Sequence, residues 1–401
     1  MQNGSVNEFR RGGLVLFACF VGIGVNLASM AYYASGIWVL PWQEEFGWSR
    51  AEIGAQQSIS VITMMLLATF AGRLIDKHGL RLITTISLAG YGVLLLGFTL
   101  MTGALWQLYT LAVAYAVFGV ASTGLAFTRA VNAYFVRHRG LALGIALTSG
   151  GVVAFLMPKY MTPFVDEHGW RAGFVAMFLI VMASLPIIWF LIKDAPPQND
   201  AQAGDATDMS GVSFSEAIRS ALFWRLAGVF LFISTAILGL IPALIPLLQD
   251  AGLSAKEAGG LAATMGLSIL VGRLLIGFVI DYVFAPYVTA FVFACVALGC
   301  LALLIGGTEY AVLTAISLGF AVGAEVDLIG YYTARYFGLA NYGSIYGLQY
   351  SIFIFGAGIS PIYVGHIWDV TGNYDVALIL AACLIVPSVL LALTLPKFNH
   401  D

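Results

Sequence analysis

Charge is the scarcest commodity in this chain. Only 10% of its 401 residues are Asp, Glu, Lys or Arg, while 60% are hydrophobic. Soluble domains carry roughly 25% charged residues, so a water-facing surface is excluded for most of the molecule. A basic surplus is missing as well: the formal net charge is -3, which excludes a nucleic-acid partner. Cysteine is sparse. Cys19, Cys295, Cys300 and Cys383 all lie in apolar runs, without metal-ligand or redox spacing, and read as small buried hydrophobes. No serine–histidine–acid set, nucleotide loop or metal cluster occurs, so neither enzymatic activity nor a cofactor is expected. Only Met1 to Arg11 precede the first apolar run. That run (13–40) is too long for a secretory signal and lacks a cleavage pattern, so it reads as a retained first transmembrane helix. Aromatics, by contrast, are plentiful, as suits a protein surrounded by lipid.

A bilayer crossing needs roughly 20 apolar residues. Hydropathy and turn punctuation place spans at 13–40, 50–73, 81–103, 105–133, 140–163 and 170–192, then at 222–248, 257–280, 284–306, 310–333, 342–366 and 374–395. The expected fold is an all-α polytopic membrane protein of about twelve helices. Residues 1–192 and 222–401 form two six-helix bundles, joined by a hydrophilic linker over 193–221. Twelve of the eighteen Lys and Arg fall on the side of the chain ends, four fall opposite, and Arg129 and Arg273 lie within spans. The bias predicts both termini in the cytoplasm, in a plasma membrane such as the bacterial inner membrane.

The two halves repeat. Gly47, Ser49, Glu52, Gly72 and Asp76 recur 205 residues later as Gly252, Ser254, Glu257, Gly277 and Asp281. Gly140, Gly144, Asp166 and Gly169 recur 203 residues later as Gly343, Gly347, Asp369 and Gly372. Six spans per copy is an even number, so both copies enter the membrane in the same sense. Parallel repeats of this kind predict alternating access, with substrate held between the bundles.

The loop Gly72-Arg73-Leu74-Ile75-Asp76-Lys77-His78-Gly79-Leu80-Arg81 resembles the loop between helices two and three of the major facilitator superfamily. The resemblance implies a cytoplasmic gate built on Gly72, Arg73, Asp76 and Arg81, with Asp281 as the weaker second copy. The stretch from Tyr134-Phe135 through Arg137, Arg139, Gly140 and Gly144 to Gly150 resembles the fifth-helix signature of the monocarboxylate porter family. In helix eight, Arg273, Gly277 and Asp281 resemble monocarboxylate and oxalate–formate carriers, whose arginine holds the substrate carboxylate. A guanidinium suits that task because it stays charged and binds a carboxylate through two parallel hydrogen bonds.

Departures narrow the reading. Ile269 stands where animal carriers have an acid four residues before the arginine. Gln349 stands where the oxalate–formate type has a lysine. One cation suits a monocarboxylate better than a dicarboxylate. Tyr33 matches a substrate-facing tyrosine of the oxalate–formate type, and Asn26 and Tyr331 are further polar candidates for the pathway.

Proton coupling needs an acid that can change charge, and desolvation of a carboxylate favours its neutral form. Helix ten offers Glu325 and Asp327, about 200° apart around the helix, so both cannot face one cavity squarely. Asp327 shares a face with Gly319, Gly323 and Gly330, while Glu325 lies on a bulkier one. Arg129 is the other intramembrane charge and a candidate ion-pair partner for these acids. The expectation is a monomeric, proton-coupled symporter of a small organic monocarboxylate. An organic-anion exchanger is the nearer alternative, and a transporter-like sensor or membrane enzyme the remoter one.

Overall fold

The computed structural model describes residues 3–135, 138–192, 211–280, 282–338 and 340–398. Asp281 and residues 193–210 of the expected linker lie outside the described residues. The first crossing, α1, is Glu8–Val25 continued, after a 41° bend, by Leu27–Phe46. It is followed by α2 (Arg50–His78), α3 (Leu80–Thr99), α4 (Leu105–Tyr134), α5 (Gly140–His168) and α6 (Trp170–Leu191). The second half holds α7 (Ala221–Asp250), α8 (Ala255–Val279), α9 (Ala285–Gly306), α10 (Ala311–Phe337), α11 (Tyr342–Thr371) and α12 (Asp375–Leu393). The continuous helical stretch Ala285–Phe337 holds two crossings, since its 53 residues would extend far beyond a bilayer core of about 30 Å. A tight turn at Gly307–Tyr310 reverses the chain between α9 and α10.

Local chemistry explains where these helices begin and end. Ser49 and Glu52 form a capping box at the start of α2, and Ser254 and Glu257 form the same box at the start of α8. Each box satisfies backbone N–H groups that the first helical turn leaves without partners. Gly47 and Gly252 precede the boxes with φ of 69° and 93°. Gly169 and Gly372 turn the chain after α5 and α11 with φ of 81° and 75°. Each pair is one position in two copies of the repeat, and both members of each pair take a positive φ.

Packing repeats too. Within the first half α1 meets α5 and α6, α2 meets α4, and α3 meets α4 and α6; in the second half α7, α8 and α9 meet the corresponding helices. The halves touch mainly through α2 against α11 and α5 against α8, a symmetric pair of seams. The exposed large hydrophobics, among them Leu66, Phe70, Phe190, Phe291 and Ile305, cover the outside of this bundle pair where lipid would lie. Of the expected linker, Val212 donates its N–H to the Phe337 carbonyl, and Phe214–Arg219 forms a short helix capped by Ser213 and Glu216. Twelve crossings, an even number, bring the start of α1 and the end of α12 to the same side of the bundle pair, termed here the terminal face; the other is the far face.

Candidate translocation site

Close helix approach builds the centre of the site. A Cβ on Gly319 would meet the Met265 carbonyl, and one on Gly323 would lie 3.0 Å from the Arg273 nitrogen. Only glycine lets α10 come this near to α8. One turn beyond Gly323, Asp327 then meets Arg273, with Oδ2 3.0 Å from Nε. The guanidinium also donates to the Leu147 carbonyl of α5 at 3.0 Å and, at 3.4 Å, to the Gly323 carbonyl. Arg273 thus touches both bundles. Its side chain is 21% exposed and that of Asp327 45%, so the ion pair is not sealed inside the packed helices. A charge at mid-bilayer costs at least about 2.5–3.5 kcal/mol, which the pairing helps to offset.

Glu325 lies on the other side of α10 and is 2% exposed. Its Oε2 is buried without a hydrogen-bond partner among the described residues. Tyr32, Tyr33, Tyr350 and Arg273 all lie within Coulombic reach of it. Tyr33 comes from α1, just after a break at Asn26, whose side chain accepts from the Ser29 N–H. The two helix-ten acids therefore have different surroundings, one accessible and paired, the other buried.

Several residues expected at the site bond backbone groups in this conformation. Asn26 is 1% exposed and is occupied in capping the α1 break. Gln349 is buried between α11 and α7, donating to the Phe223 carbonyl at 2.9 Å. The Tyr331 hydroxyl points to the Ile280 carbonyl, and its ring packs on Tyr332 and Phe398 near the chain end. Arg129 pairs with Asp76, not with a helix-ten acid. That bond joins α4 to α2, and the Arg81 guanidinium stacks 4.1 Å from the Trp189 ring, joining α3 to α6. The expected gate residues thus tie helices of the first bundle to one another in this conformation. Arg73 is exposed, and a Cβ on Gly72 would meet nothing within 4 Å.

One cluster was absent from the sequence expectations. On the far face Arg50, at the start of α2, gives two hydrogen bonds to Asp250 at the end of α7, of 2.6 and 2.9 Å. It also donates to Gln43 at 3.1 Å and to the Tyr374 hydroxyl at 2.6 Å, and it stacks 3.6 Å over the Trp368 ring. Asp369 of α11 accepts from the backbone N–H groups of Arg50 and Ala51, at 2.7 and 2.8 Å. A cation at a helix N-terminus opposes the helix dipole, so Arg50 needed acids from elsewhere. That misfit was the available sequence signal. A second far-face pair stays within the first bundle: Trp170 and Arg171 donate hydrogen bonds to the Glu45 carboxylate at 2.7 and 2.8 Å.

Glycines show which way the path opens. In the far half, added Cβ atoms on Gly54, Gly259, Gly266 and Gly365 would strike the backbone of the opposite bundle. In the terminal half of the same seams, Gly72, Gly140, Gly144, Gly277, Gly343 and Gly347 have nothing within 4 Å. The bundles are pressed together on the far face and parted on the terminal face.

Two duplicated six-helix bundles around a cation in the membrane define a two-bundle membrane transporter. The sequence matches the Major Facilitator Superfamily over residues 19–361, and the chain belongs to that superfamily. Its relatives include YcxA of Bacillus subtilis, described as an uncharacterized MFS-type transporter, at 23% identity over 93% of this chain and 91% of that one. The gallate transporter of Pseudomonas putida is 23% identical over 83% of both chains. Human monocarboxylate transporter 12 is 25% identical over 75% of this chain and 66% of its own length. Among solved structures, a bacterial homologue of the human lysosomal transporter Spinster, in an inward-facing and occupied conformation, superposes with a TM-score of 0.75. That match covers 96% of each chain at 15% identity, a likeness of fold.

Proposed function

We propose that the protein is a proton-coupled symporter of a monocarboxylate, working by alternating access, with its terminal face in the cytoplasm of a plasma membrane such as the bacterial inner membrane. The observation that carries this reading is the Arg273–Asp327 pair, exposed in the path between the bundles. The names of relatives that carry gallate or monocarboxylates support an anionic substrate, and the Lys and Arg bias supports the orientation.

The chemistry follows from having one cation and two possible anionic partners. A substrate carboxylate that takes both guanidinium edges displaces Asp327. The displaced acid, left without its counter-charge in the membrane, takes up a proton. Anion and proton together carry no net charge, so the bundles rock without moving charge across the bilayer. When substrate leaves, Asp327 gives up its proton and returns to Arg273.

In proteoliposomes, an inward proton gradient is expected to speed uptake of labelled monocarboxylate. Uptake that ignores pH and requires an anion on the opposite side would replace this reading with exchange. A second test uses the open glycines. With Gly144→Leu, the side chain finds room in the present conformation but blocks closure of the terminal side. Substrate binding should therefore persist in detergent while uptake is lost. Uptake at the unaltered rate would count against α5 closing on its partner during the cycle.

A further inference from the structure

Among the tyrosines of the second bundle and of α1, some hydroxyls are spent on hydrogen bonds and others are not. Those of Tyr32, Tyr332, Tyr336 and Tyr363 are tied to the Leu238 carbonyl, to Thr289, and to the Pro396 and Thr235 carbonyls, at 2.6–3.1 Å. Those of Tyr33, Tyr342, Tyr346 and Tyr350 make no hydrogen bond among the described residues, and none is a buried orphan. All four residues are only partly buried. Their hydroxyls are donors and acceptors facing open space.

Three of them form a ladder. Tyr342, Tyr346 and Tyr350 sit four residues apart on one face of α11, with ring centres 5.6 and 5.8 Å apart and planes within 12° of parallel. The ladder runs beside α10. A Cβ on Gly330 would lie 2.9 Å from the Tyr342 hydroxyl, Tyr346 is within Coulombic reach of Asp327, and Tyr350 is within reach of Glu325. From α1, Tyr33 lies within reach of Arg273. Flat rings therefore line the approach from the open terminal side to the cation, and their hydroxyls are unspent. Six-carbon rings offer broad apolar faces that a two- or three-carbon acid cannot cover, whereas an aromatic body stacks on them.

We infer that the substrate is a planar aromatic monocarboxylate carrying a polar ring substituent, its carboxylate on Arg273 and its ring and ring hydroxyl among Tyr33, Tyr346 and Tyr350. This rests on the carboxylate reading above and deepens it. The carboxylate sets position, the stacked rings select flatness, and the free hydroxyls select a ring that can donate or accept a hydrogen bond.

Titration calorimetry on the purified full-length protein distinguishes the terms, using 4-hydroxybenzoate, benzoate, cyclohexanecarboxylate and lactate. The expected order of affinity is the order of that list, with steps of about fivefold for the ring hydroxyl and for planarity. Tyr346→Phe or Tyr350→Phe should weaken 4-hydroxybenzoate by about fivefold and leave benzoate unchanged, which a folding defect would not do. Lactate binding as tightly as benzoate overturns the inference but keeps the carboxylate reading. So does a failure of 4-hydroxybenzoate to exceed benzoate and cyclohexanecarboxylate, or a loss of both aromatic acids alike in each Tyr→Phe variant. Absence of binding by all four acids overturns both.

Discussion

Replacing Arg273 with alanine is expected to abolish transport and to weaken monocarboxylate binding by about a hundredfold or more. Truncating one partner of a buried, hydrogen-bonded charge pair costs about 2–5 kcal/mol, and each 1.4 kcal/mol is tenfold in affinity. The loss here is compounded, because Asp327 is left in the membrane without its cation and the α5 contact through Leu147 disappears. Arg273→Lys should recover only part of the affinity, since an ammonium cannot reproduce the two-pronged contact. Binding measured by calorimetry and uptake measured in proteoliposomes read the two losses separately. Retained affinity in Arg273→Ala would remove this residue from the substrate site. The companion variants address the proton: Asp327→Asn should keep binding and lose the pH dependence of uptake, whereas Glu325→Gln should leave that dependence in place. The reverse result would move the proton site to Glu325.

Arg50→Ala should act on conformation without touching the substrate site. All of its bonds to Asp250, Tyr374 and Trp368 cross from the first bundle to the second, and all can exist only while the far face is closed. Breaking a buried pair costs about 3–5 kcal/mol. A shift of about 5.5 kcal/mol turns a 1:99 equilibrium into 99:1. Losing the latch should therefore raise the population of the far-open state by about a hundredfold or more. Spin labels on exposed Glu44 of α1 and Lys256 of α8, which flank the far-face seam, are expected to move apart in this variant. Uptake should fall while the intrinsic affinity for monocarboxylate persists. An unchanged distance distribution would show that the cluster does not hold the gate. Asp250→Asn should have a smaller effect in the same direction, because Arg50 keeps Tyr374 and Trp368 across the seam.

These two arginines show how unevenly the site could be read from the chain. Arg273 was conspicuous, since a charge inside an apolar span is costly wherever it ends up. Arg50 was not: at the edge of a span it looks like any interfacial cation, and its partners lie 200 and 319 residues away. Gln349 and Asn26 illustrate the converse. A polar side chain in a membrane helix lines a path or satisfies a neighbouring backbone, and sequence spacing does not distinguish the two. In this conformation both bond backbone groups, on another helix for Gln349 and at the α1 break for Asn26, while the Gln349 Oε1 is left without a partner among the described residues. Arg129 was recognisable as half of an ion pair, yet its partner was Asp76 of the neighbouring helix in its own bundle.

By itself the sequence determined the helices, their caps and their duplication, because hydropathy, capping boxes and left-handed glycines act over a few residues and need no partner elsewhere. It also reduced the chemistry to a handful of charges, since lipid leaves so few that each stands out. Only the tertiary structure decided which acid meets Arg273, which tyrosine hydroxyls stay free, and which face of the bundle pair is closed. Those outcomes depend on how closely α8 and α10 approach at their glycines and on how two rigid bundles tilt against each other. They are distances between segments far apart in the chain, and no local pattern encodes them.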